Sequence, residues 1–187
     1  MNTFALRRTF VVLACLVILS SLPSAAARAQ RREHLTPEEI ELIREAQELD
    51  RRTAVFVKAA ERRLLALTDP AAAARQSAKD AEKWGEVKGT RTQLFNDVAK
   101  ILDEAVVNID DTAARDQKSS LLHKSLGKLA EAAARFVPRL TAMRDAAQSV
   151  EEREALESAV EKSQEILEAA KRHETDAPEK PSKKGSK

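Results

Sequence analysis

The sequence predicts an all-α protein, an elongated antiparallel bundle of about five helices joined by coiled-coil-like heptad packing. Three observations lead there. The composition lacks tyrosine and carries only one Trp and five Phe, while alanine occurs in runs such as Ala71-Ala72-Ala73-Ala74 and Ala132-Ala133-Ala134. Aromatic and β-branched residues favour strands, whereas Ala, Leu, Glu, Lys and Arg favour helices, so no segment reads as a strand. Helix-start punctuation recurs along the chain, and between the starts apolar residues return every three to four positions, the spacing that lines one side of a helix.

Residues 1–29 read as a cleaved export signal. Arg7 and Arg8 close a basic segment, residues 9–22 are almost uninterrupted apolar sequence, and Ala27-Arg28-Ala29 supplies small residues at both positions a signal peptidase reads. The mature chain is then expected to start at Gln30, in the periplasm or outside the cell. The apolar run falls short of the about 18 residues that cross a bilayer, so no stable membrane anchor is expected after cleavage. A lipoprotein reading would acylate Cys15, but Leu16-Val17-Ile18-Leu19 would then open the mature chain, and an apolar run makes a poor flexible tether. The leader takes the one cysteine with it, which leaves no disulfide to form. It also takes Arg7, Arg8 and Arg28, so 32 basic against 30 acidic side chains become 29 against 30, a net charge of −1. That balance argues against nucleic acid, whose phosphates need an excess of cations on one face.

Residues 30–173 form the expected bundle domain. Thr36-Pro37-Glu38-Glu39 offers a hydroxyl cap, a proline where no amide donor is wanted and a glutamate able to reach back. One long helix is expected from there to about Thr68, some 45 Å at 1.5 Å per residue. Its stripe is Leu42, Ala46, Leu49, Thr53, Phe56, Ala60, Leu64 and Leu67, widened by Ile40, Ile43 and Val57. Asp69-Pro70 repeats the start signal for a second helix lined by Ala71, Ala74, Ala78 and Ala81, followed by Trp84 and Gly85 and closed as a turn by Gly89. Thr90-Arg91-Thr92-Gln93 is a second capping box and opens a third helix through Leu94, Val98, Ile101, Leu102, Ala105 and Ile109.

Residues 110–119 lose the apolar period and read as a polar connector. Ser119 or Ser120 then caps a fourth helix with a strict heptad: Leu122, Leu126, Leu129, Ala133, Phe136, Leu140, Met143 and Ala147. Pro138 interrupts it, and a bend is expected near Arg135. Ser149-Val150-Glu151-Glu152 opens the fifth helix, with Leu156, Val160, Ile166 and Leu167 inward, running to about Arg172. Residues 174–187, with two prolines and mixed charge, cannot bury a core and read as a disordered polar tail.

Catalytic patterns are missing from the mature sequence. Gly85, Gly89, Gly127 and Gly185 make no phosphate-cradling loop. The histidines, His34, His123 and His173, neither accompany a positioned nucleophile nor form the Glu and His spacing of a di-iron bundle. The sequence therefore predicts no enzyme, no cofactor and no catalytic residue. One metal possibility stands. In an antiparallel hairpin of the fourth and fifth helices, His123 and His173 share an end, and His34 could join them with Glu174 or Asp176 to hold zinc or copper.

Leu35-Thr36-Pro37-Glu38-Glu39 is similar to the Leu-Thr motif that opens helices in periplasmic stress chaperones of the Spy and CpxP kind. The resemblance implies holding unfolded clients on a concave helical surface. It covers five residues, and the glutamine of that motif is Glu39 here; a capping box explains Thr36 and Glu39 equally well. The leading expectation is an exported structural or interaction module acting through its heptad faces, on a protein partner or on a second copy of itself.

Overall fold

The structure, a computed structural model, describes residues 33–175. The export signal, its cleavage point, Cys15 and residues 176–187 of the expected tail lie outside the described residues. Six α-helices and one 3-10 turn make up the rest: α1 (Pro37–Glu45), α2 (Leu49–Thr68), α3 (Pro70–Trp84), α4 (Arg91–Arg115), α5 (Ser120–Thr141), the 3-10 turn (Arg144–Ala146) and α6 (Val150–Thr175). The all-α bundle predicted by composition and periodicity is what forms, with one helix more than expected.

The additional helix comes from the expected long first helix, which breaks at residues 46–48 and folds back on itself. Neither Gly nor Pro marks the corner. Side chains satisfy its carbonyls instead: Gln47 Nε2 donates to Arg44 O and Arg52 Nε to Ala46 O. Such short connections are ordinary in paired helices. The periodicity survives the break because Ile40 and Ile43 still face the core from α1, which is why the stripe alone concealed it.

Two further boundaries differ from expectation. The expected connector at 110–119 is helical as far as Arg115, closed by the Asp116 amide on Thr112 O at 2.8 Å. Its polar residues report solvent exposure, not a helix end, while Ala113 keeps contact with the core. The heptad of α5 is buried at Leu122, Leu129, Ala133, Phe136 and Leu140. The helix stops at Thr141, soon after Pro138, so Met143 and Ala147 lie beyond it. Ser119 caps α5 by position but makes no side-chain cap bond. α6 takes in Glu174 and Thr175, the first two residues of the expected tail.

Inter-helix bonds set the directions. Arg52 bonds Asn108 and Arg91 bonds Leu67 O, so α2 and α4 are antiparallel. Asp50 meets Lys124, Glu61 meets Arg135 and Thr68 meets Arg139, so α2 and α5 are parallel. Arg91 with Glu152 and Asp103 with Lys162 make α4 and α6 parallel. His123 beside His173 and Arg144 on Glu157 make α5 and α6 antiparallel. The four long helices thus alternate up and down in chain order, yet α4 and α5 touch only slightly and stand at diagonal corners of the square.

The core holds one fully buried Phe from each of three helices: Phe56, Phe95 and Phe136. Alanines fill much of the remainder, among them Ala59, Ala60, Ala105, Ala132, Ala133 and Ala159. Small residues let helix axes approach, so the square closes without many large side chains.

Candidate functional site

Two places gather unusual chemistry, and they behave differently. The first is a buried ion cluster built on the Leu-Thr segment. Thr36 and Glu39 form the expected capping box: the Glu39 amide donates to Thr36 Oγ1 at 3.1 Å and the Thr36 amide to Glu39 Oε2 at 2.9 Å. Glu39 is wholly buried, and its other oxygen accepts from both Arg62 and Arg63. Arg62 also donates to the Trp84 and Gly85 carbonyls and lies 5.7 Å from the Trp84 ring. Arg63 donates to His34 O at 2.7 Å, with its Nε 4.0 Å from Asp97 Oδ2.

Formally, the two guanidiniums balance the two carboxylates. A buried, charge-balanced cluster that ties residues 34–39, α2, the end of α3 and, through Asp97, α4 together is a structural latch. The residues that resemble the chaperone motif are therefore occupied in holding the fold.

The second place is open. Where α4 and α6 end and α5 begins, a cleft of about 550 Å³ is floored by Val106, Ile109, Ala113, Leu122, Leu126 and Ile166. Asp110, Lys162, Glu165, Arg172 and His173 ring its mouth. Glu165 and Asp103 accept hydrogen bonds from the Lys162 ammonium, which therefore holds its proton more tightly than an ordinary lysine does. The size and the apolar floor under a charged rim are those of a binding cleft. Val107, next to the floor, is 49% exposed.

Sequence reasoning missed this cleft, although a signal was present. Val106 and Val107 add apolar surface beyond the stripe through Leu102, Ala105 and Ile109, and Val107 stays exposed although α2 and α6 both flank the helix. Leu126, read as a seam residue, is only partly buried.

Of the histidines, the structure brings two together. His123 and His173 lie with ring centroids 5.9 Å apart and planes tilted by 50°. His34 does not join them: its Nε2 is 3.3 Å from Glu104 Oε1 on α4. Among the described residues no three His, Cys, Asp or Glu side chains cluster as metal ligands, so the three-histidine arrangement is not formed. Asp176 and the Glu174 side chain fall outside what is described.

A groove of about 480 Å³ runs beneath α3, against Leu65, Ala66, Val87 and Leu94. α3 itself has no buried residue. Among the described residues, no helix is long and apolar enough to cross a membrane. Comparison with protein-family models, with curated proteins and with solved structures found no match.

Proposed function

We propose that this chain is an exported, non-catalytic contact module, and that the cleft between α4, α5 and α6 receives one or two turns of an amphipathic partner helix. The carrying observation is the cleft whose partly buried Val106 and Leu126 lie over the core residue Ile109, with the exposed Val107 beside Val106 in sequence. A partner with apolar residues three and four apart would extend the packing already used between α4 and α6. Charges of both signs at the rim give such a helix a preferred orientation. Export rests on the leader-like residues 1–29, and the absence of catalysis on the lack of any assembled nucleophile, base or phosphate loop in the sequence.

A photo-cross-linker at Val107, in cells that make the protein, is expected to yield a discrete adduct. The adduct should disappear when Ala113→Glu places a charge in the floor. A cross-linker at Arg75 on α3 serves as the control. No adduct at 107, or the same adduct at both positions, overturns the cleft reading. Mass spectrometry of the same material is expected to show a chain beginning at Gln30; an intact leader on cytosolic protein would overturn the export reading. If the protein instead suppressed aggregation of an unrelated unfolding protein at near-equal molar ratio, the chaperone reading would replace this one.

A further inference from the structure

Beyond partner binding, we propose that His123 and His173 form a two-imidazole clamp for a divalent transition-metal cation, joining the start of α5 to the end of α6. The antiparallel course of these helices places the first turn of one beside the last turns of the other. Both rings are exposed, so a cation reaches them without opening the core. Imidazole nitrogens bind such ions at about 2.0–2.1 Å, which puts the centres of two rings on one ion about 5.2 Å apart at a tetrahedral angle and about 4.5 Å apart as neighbours in a square plane. The observed 5.9 Å is wider than both, and rotation of the two exposed rings about their side-chain bonds closes the difference. Water completes the shell. His34, held at Glu104, takes no part.

Imidazole suits copper, zinc and nickel, and copper(II) stands highest among the divalent ions for nitrogen ligands, so copper(II) should bind more tightly than zinc. The clamp ties two helix ends that would otherwise fray separately, and binding therefore raises stability by mass action. Ring packing alone brings aromatic pairs to similar separations, so the test has to read ligation itself.

The experiment uses the purified protein without a histidine tag, titrated with copper(II) and, in parallel, zinc. At a free concentration about a hundredfold above the dissociation constant, the thermal midpoint should rise by roughly 5 to 10 °C. The copper(II) paramagnetic resonance spectrum should show imidazole nitrogen coupling. His123→Ala and His173→Ala should each abolish both effects while retaining the helical circular dichroism, and His34→Ala should keep them. Absence of a shift with either ion overturns the proposal, as does a shift that survives loss of His123 or His173, or one that disappears with His34. Such a failure leaves the cleft reading intact, because the adduct at Val107 is read on the parent chain without added metal, even though His173 also stands at the cleft mouth.

Discussion

Glu39 does more than cap a helix. The reach back to the Thr36 amide was legible in Thr36-Pro37-Glu38-Glu39, but its pairing with Arg62 and Arg63 was not. Along one straight helix, the 23 residues between Glu39 and Arg62 would span about 35 Å, so the contact exists only because the chain doubles back. Glu39→Ala leaves two guanidiniums buried without their shared carboxylate and should cost about 3–5 kcal/mol in a denaturant titration. Glu41→Ala, which removes an exposed pair with Arg44, should cost less than about 1 kcal/mol. Asp50 supplies a pH dependence. Its hydrogen bond from Lys124, with Lys128 nearby, holds the carboxyl below its usual range. A carboxylate more acidic in the folded state adds stability at neutral pH and loses it as the pH falls through the carboxyl range. Between roughly pH 6 and pH 3 the thermal midpoint of Asp50→Asn should therefore fall less than that of the parent chain.

At the scale of the element, two glycines, one at the end of α3 and one inside α5, separate backbone need from backbone cost. Gly85 ends α3 at φ 65°, and a Cβ there would strike the Glu38 carboxylate and stand 2.8 Å from Thr36 Oγ1. Gly85→Ala should destabilise by about 1–3 kcal/mol, since both conformation and space are refused. Gly127 lies inside α5, and a methyl group added there would meet nothing within 4 Å, so Gly127→Ala should stabilise by about 0.5–1 kcal/mol. Calorimetry on the two variants should give shifts of opposite sign. α3 differs from its neighbours in burying no residue. Its amides should exchange with solvent faster than those of α4, α5 and α6, because few apolar contacts oppose its opening. Every helix start except the one at Leu49 carried a readable signal. That start uses Glu48 without a side-chain cap bond, and the corner before it is held by Gln47 and Arg52, residues with no turn signature.

At the scale of the whole molecule, fold class and most of the core were legible because the apolar period is strong and the alanine content leaves strands no support. The arrangement of helices in space was not, since periodicity says which face is inside but not which neighbour it meets. The diagonal placement of α4 and α5 depends on pairings such as Arg91 with Glu152 and Asp50 with Lys124, which only the closed bundle reveals. α6 covers both α4 and α5. A chain ending at Gln148 should therefore keep helical signal yet lose its cooperative unfolding transition, as followed by circular dichroism against temperature. The same geometry bears on synthesis. As the polypeptide emerges, its second long helix finds the first and its third flanks the first on another side, but these two latecomers have almost no grip on each other. A gap stays open along the bundle until α6 arrives to zip them together, so closure of the core waits for the fourth of its long helices.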